Sequence, residues 1–198
     1  KKAYDEGEIT DADVDRINRP VLALAEKCEN NRKIRKSVLS DEERRKISLK
    51  AAEEGVVLLK NDGILPLCDG GRITVLGQPN QGVCALGGGS GTVCSKNEIR
   101  YFSDCLKDEL PKTEVDYIPS FQFVGGDIFF DNFSAGLESA EKSDTLIVCV
   151  GNNYLVEGEG FDRQAIKLNH KQEEMILQSA RCNPNVIVLL FTGSAVDM

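Results

Sequence analysis

Apolar and polar positions follow two regimes along this chain. Up to about residue 50 the apolar positions recur at helical spacing, with Val14, Ile17 and Val21 on one face. Thr10, with Asp13 three residues on, predicts a cap for that helix, and Pro20 predicts a kink or a break within it. Ser40 with Glu43 forms a second capping box, opening a helix expected to run to Glu54 and to stop at Gly55.

After Gly55, short apolar runs are separated by amphipathic stretches. Residues 56–59 read as a strand, Asn61, Asp62 and Gly63 as a turn, and residues 73–76 as a strand ending at Gly77. Ser103 opens a short helix with Leu106 and Leu110 on one face, and residues 115–118 read as a further strand. Phe133, Leu137 and Ala140 stand at helical spacing, and residues 145–150 and 186–191 read as buried strands. Between those strands Asn169, with Gln172, caps a helix carrying Met175, Ile176 and Ala180. Buried strands alternating with amphipathic helices predict an α/β fold whose mostly parallel sheet is covered on both faces. In such folds the working groups sit on loops beyond the carboxyl ends of strands. Two loops qualify: one after Leu76 running through Gly87, Gly88, Gly89, Ser90 and Gly91, the other from Gly151 to Arg163.

Composition narrows the classes. Of 198 residues, 41% are hydrophobic and 28% charged, as in an ordinary globular chain. A net charge of −8 argues against nucleic-acid binding, which needs clustered Lys and Arg. The one basic cluster, residues 32–36, is soon answered by Asp41, Glu42 and Glu43 and reads as a solvated linker. The longest apolar run is the six residues 186–191, against the roughly 20 a membrane helix needs, and the first residues lack the apolar centre of a signal peptide. Seven cysteines without CxxC spacing argue against a disulfide framework or a zinc site. A bridge between Cys84 and Cys94, which flank the glycine-rich loop, is conceivable, but a reducing, cytoplasmic setting fits better, with Cys149 a core residue.

The loop after Val150 sets Glu157, Glu159 and Asp162 among glycines, with Arg163 following. Glycine frees the backbone to aim a carboxyl into a cleft. Tyr154 and Phe161 offer apolar faces of the kind that line sugar subsites, and a carboxyl pressed against them favours its neutral form, as a general acid requires. On composition alone the plainer reading, a solvated acidic surface loop, is the favoured one. The glycine-rich loop has neither a Walker spacing nor a dinucleotide fingerprint, Ser90 is not in a G-x-S-x-G elbow, and His170, the single histidine, reads as a solvent-facing residue beside a helix cap. No cofactor and no metal are expected.

The order of motifs adds a resemblance. Residues 51–67 (AAEEGVVLLKNDGILPL), 73–77, the Gly-Gly-Gly-Ser stretch at 87–90, the approach from Ala140 to Gly151, and Glu159-Gly160-Phe161-Asp162-Arg163 are together similar to the C-terminal domain of family 3 glycoside hydrolases of the β-glucosidase kind. Leu168, Gln172, Ile176 and residues 186–193 continue it. The match runs from about residue 40, with residues 1–39 looser. Asn169, where many relatives have proline, and Ser194-Ala195 depart from the pattern. The resemblance implies a three-layer α/β/α sandwich over residues 51–198, incomplete at its C-terminal end, preceded over residues 1–50 by the tail of a barrel domain and a helical linker. It implies a retaining, exo-acting β-glycosidase acting on a β-glucoside or related oligosaccharide. Glu159 would be the acid/base, with Glu157 the runner-up. Tyr154, Phe161 and Ser90 would meet the substrate, and Asp162 and Arg163 would support the loop. The nucleophilic aspartate would come from an N-terminal barrel upstream, so this chain alone is expected to be inactive. A non-catalytic carbohydrate-binding or structural module, and a flavodoxin-like nucleotide-binding domain, are the competing expectations.

Overall fold

The computed structural model describes residues 1–34, 39–77, 89–91, 100–124, 127–152, 156, 158–160 and 162–197. The chain divides into two units, Lys1–Lys60 and Asn61–Met198.

The first unit is helical: α1 (Lys2–Asp5), α2 (Asp11–Ile34) and α3 (Asp41–Gly55). Both expected caps are present. Asp13 N donates to Thr10 Oγ1 at 3.3 Å while Thr10 N donates to Asp13 Oδ2 at 3.1 Å. Glu43 N donates to Ser40 Oγ at 3.2 Å and Ser40 N to Glu43 Oε2 at 2.7 Å, a reciprocal capping box. Helix α2 runs through Pro20 without a break. The missing proline N–H costs that helix one intrahelical bond, the one Arg16 O would otherwise receive. Residues 56–59 correct the sequence reading. They form no strand, and Val56, Val57, Leu58 and Leu59 are 79%, 73%, 64% and 71% exposed. A strand needs a ladder partner, and the described residues of this unit contain none.

The second unit carries the sheet. Strands β1 (Arg72–Gly77), β2 (Glu114–Pro119), β5 (Thr145–Gly151) and β6 (Val186–Phe191) form an all-parallel sheet in the order β2-β1-β5-β6. Helices α4 (Phe102–Glu109), α5 (Phe133–Ala140) and α6 (His170–Cys182) cover it. Alternation along each strand divides the core into two layers. Leu76, Leu146, Val148 and Val150 pack with Phe133 and Ala140 of α5 and Met175 of α6. Ile73, Val75, Ile147 and Cys149 pack the other face with Phe102, Leu106 and Leu110 at α4. This is the expected three-layer sandwich. Cys149 is 2% exposed, and burial pushes its thiol up to about 12, so it serves as a small apolar core residue.

Two local readings change. Helix α4 begins one residue earlier than expected, with Tyr101 as its cap, and Ser103 is buried inside it. An antiparallel hairpin, β3 (Phe121–Val124) with β4 (Asp127–Phe130), was not anticipated. It places Phe121 and Ile128 in the core beside Phe133. Its signal was in the sequence: apolar residues on either side of Gly125-Gly126, a dipeptide that reads as a hairpin turn.

Candidate active site

Strands β1 and β5 are neighbours, in register from Ile73↔Thr145 to Gly77↔Cys149, so the loops leaving their carboxyl ends emerge side by side. The described part of the β1 loop is a single 3-10 turn, Gly89–Gly91. It meets Glu159 of the β5 loop. Ser90 N donates to Glu159 Oε2 at 2.6 Å, and Ser90 Oγ makes a close hydrogen bond to the same oxygen. Gly89 permits this approach: a Cβ there would stand 2.8 Å from both Glu159 Cβ and Oε2. Two residues singled out separately in the sequence, 69 positions apart, are therefore one cluster. A carboxylate also occupies the backbone N–H that a bound phosphate would use, which speaks against the nucleotide reading of the glycine loop.

The ends of the β5 loop are anchored. Gly151 closes the ladder opposite Phe191, Asn152 is buried, and Asn152 N donates to Phe191 O at 3.1 Å. At the far end Arg163 Nη1 donates to Ala195 O at 3.0 Å and makes a close hydrogen bond to Ser194 Oγ. Ser194 and Ala195, notable in the sequence only as a departure from pattern, thus receive the arginine. Asp197 N donates to Ile166 O at 2.9 Å, and Lys167 bridges Asp197 in parallel. Arg163, Gln164, Ala165, Ile166, Ser194 and Ala195 line an open cavity of about 490 Å³. Asp162 is exposed. Tyr154, Glu157 and Phe161 lie outside the described residues, as do Cys84, Cys94, Gly87 and Gly88. His170 is exposed at the start of α6, as expected.

Asn169 caps α6 by accepting from Lys171 N at 2.9 Å. Gln172, expected as its capping partner, instead turns inward: it is 1% exposed and its Nε2 donates to Gly151 O at 2.7 Å. Sequence reasoning placed Gln172 on the right helix but not at the loop's origin.

The Ser90 hydroxyl, and after it the Ser90 backbone N–H, hold the Glu159 carboxyl below its ordinary range, with a smaller opposing push from desolvation. A depressed folded pKa means the contact favours the fold above the ordinary carboxylate range and is lost as the pH falls through the depressed value. Ser90→Ala removes the stronger donor and keeps the backbone one. The Glu159 pKa should therefore rise toward the ordinary carboxylate value, which an NMR titration of its carboxyl carbon measures. An unchanged midpoint would mean the hydroxyl does not hold the carboxylate.

Among the described residues no group of acidic, histidine or cysteine side chains is placed to hold a metal, and no helix is long and apolar enough to cross a membrane.

The parallel sheet, with its glycine-flanked carboxylate on a loop at the strands' carboxyl ends, has clear relatives. Residues 56–198 match the glycosyl hydrolase family 3 C-terminal domain, and the chain belongs to that family. It is similar to an exo-α-(1→6)-L-arabinopyranosidase of Bifidobacterium longum, 30% identical over 99% of this chain and 27% of the relative. It is also similar to thermostable β-glucosidase B of Acetivibrio thermocellus, 27% identical over 93% of this chain and 24% of the relative. Among solved structures, the family 3 β-glucosidase of Bifidobacterium adolescentis superposes with a TM-score of 0.73 at 27% identity, over 99% of this chain and 28% of that one. The chain spans about a quarter of the length of these relatives.

Proposed function

We propose that this chain supplies the general acid/base, Glu159, of a retaining, exo-acting β-glycosidase that removes terminal β-linked sugars from a β-glucoside or related oligosaccharide. The observation that carries the reading is the presentation of Glu159 on the loop at the carboxyl end of β5, met there by Ser90 of the neighbouring loop. In a retaining mechanism one carboxyl group attacks the anomeric carbon and a second, about 5–5.5 Å away, protonates the departing oxygen and later deprotonates water. The nucleophile belongs to a barrel domain in the rest of the protein, with the division from this domain near residue 50. Half of the pair forms no glycosyl-enzyme, so this chain alone does not turn over glycosides. Tyr154, Phe161 and Ser90 contact the sugar or its leaving group, and Asp162 and Arg163 support the loop. Glu157 is the alternative acid/base. The free thiols Cys28, Cys68, Cys105, Cys149 and Cys182 fit a reducing, cytoplasmic setting.

The ionised state favoured by Ser90 is the wrong one for donating a proton. It belongs to an open, hydrated carboxyl. A sugar and a barrel wall would strip that water, and an ionised nucleophile nearby would disfavour a second negative charge; both raise the Glu159 pKa. A β-D-glucoside and an α-L-arabinopyranoside both carry the leaving group equatorially in their common chairs. One acid placed beside that bond therefore suits either sugar, and groups elsewhere select between them.

The test is chemical rescue in the complete enzyme. With Glu159→Ala and an activated aryl glycoside, azide should restore turnover and appear in the product as a β-glycosyl azide, because azide attacks the intermediate without a base. Wild-type hydrolysis with no azide product would pass the role to Glu157 or outside this chain.

A further inference from the structure

We propose that Gln172 is a positioning residue for the acid/base: by holding the Gly151 carbonyl it sets where the β5 loop departs and so where Glu159 stands. This rests on the reading of Glu159 above. Gly151 is the last rung of the β5–β6 ladder, and the carbonyl at that strand end takes its hydrogen bond from Gln172 Nε2 at 2.7 Å. The next residue, Asn152, is buried and bonded to Phe191 O at 3.1 Å. At its other end the loop is tied by Arg163 to Ala195 O. Glu159 therefore stands on a loop with an anchor on either side, at Gly151–Asn152 and at Arg163.

The chemistry of Gln172 separates positioning from packing. The side chain is 1% exposed, and among the described residues its Oε1 is buried without a donor. An amide left half-paired in the interior costs about 1–3 kcal/mol. A leucine or methionine would fill the space without that cost, yet would take away the hydrogen bond that Gln172 gives the Gly151 carbonyl and loosen its peptide. The orientation of the amide follows from its partner, since only the NH2 end can bond to a carbonyl oxygen.

The test uses the complete enzyme. Gln172→Met should lower kcat for an alkyl glycoside roughly 10- to 100-fold, the scale on which an ångström of misplacement acts, with KM little changed. An aryl glycoside with a very acidic phenol, which needs no proton in its first step, should lose far less in that step. On top of Glu159→Ala, Gln172→Met should add nothing, because both act through one carboxyl. Gln172→Glu gives a second readout. Its buried carboxyl, when neutral, can donate to Gly151 O, and when ionised cannot. Alkyl-glycoside activity relative to wild type should therefore recover as pH falls through the pKa of that carboxyl, which burial raises. A purely structural role would lower thermal stability without changing leaving-group or pH dependence. Equal losses on both substrates, or wild-type kinetics in Gln172→Met, overturn the proposal. If that variant fails to fold, a pH-independent activity ratio for Gln172→Glu does so. Loss of alkyl turnover in Glu159→Ala beside wild-type behaviour of Gln172→Met defeats this inference alone. Intact alkyl turnover in Glu159→Ala defeats the parent reading, and this one with it.

Discussion

Replacing Glu159 by Ala in the complete enzyme is expected to cut kcat/KM for an alkyl glycoside by roughly 10²–10⁴, the usual contribution of a positioned general acid. That corresponds to about 3–5 kcal/mol of transition-state stabilisation. The loss should scale with the basicity of the leaving group. An alkoxide is expelled only with a proton, whereas a strongly acidic phenol departs as the anion. Glycosylation by the phenol substrate should therefore stay close to wild type. Hydrolysis of its intermediate then lacks a base, so kcat falls and KM falls with it as the intermediate accumulates. Burst kinetics show this directly, as a fast release of one equivalent of phenol followed by slow turnover. A uniform loss over all leaving groups would assign Glu159 to binding; no loss would return it to the solvated surface suggested by loop composition. Glu159→Gln would separate charge from shape, because the amide oxygen can still accept the Ser90 hydrogen bonds but the side chain cannot give up or take a proton.

The sandwich was legible because its two central strands, β1 and β5, are buried on both faces, whereas β6, also expected to be buried, buries only Ile187 because it stands last in the order of the described strands. Residues 146–150 and 186–191 are apolar without interruption, and Thr74 alone interrupts residues 73–76, the pattern expected of a covered parallel sheet. The same signal failed at residues 56–59, since an apolar run states a need for burial and not the partner that meets it. The β3–β4 hairpin went unread although Gly125-Gly126 marked its turn. At the site, Ser90 and Glu159 were each visible from their glycine-rich surroundings and, for Glu159, from the family pattern. Their contact was not, because it depends on β1 and β5 being adjacent, a matter of strand order that local pattern does not encode. Gln172 was misread for a related reason. Three residues after Asn169 it completes the spacing of a capping box, but side-chain direction on the helix turns it to the sheet.

The largest effect on the fold is expected at the two glycines that end β1 and β5. Gly77 has φ +118° and Gly151 φ +150°, both outside the range side chains readily adopt. A Cβ on Gly77 would stand 2.0 Å from Cys149 O, and one on Gly151 would stand 1.9 Å from Phe191 O. Those oxygens are backbone atoms of the next strand in the sheet, so no side-chain rotation relieves the overlap. Gly77→Ala or Gly151→Ala must part β1 from β5, or β5 from β6, at the edge from which the loops emerge. Each is expected to cost more than about 4 kcal/mol, the exceptional range for a single substitution. Gly160→Ala is the control. Its φ is +83°, but among the described residues nothing lies within 4 Å of the added Cβ, so left-handed strain is what remains, about 1–2 kcal/mol. Denaturant unfolding of the complete enzyme variants would rank them. If Gly151→Ala lost no more than Gly160→Ala, close approach of the strands would not be what glycine is for there. The expected ranking ties site to fold: β5 can deliver Glu159 beside Ser90 because its last residue turns out of the ladder while the neighbouring carbonyl fills the place of its missing side chain.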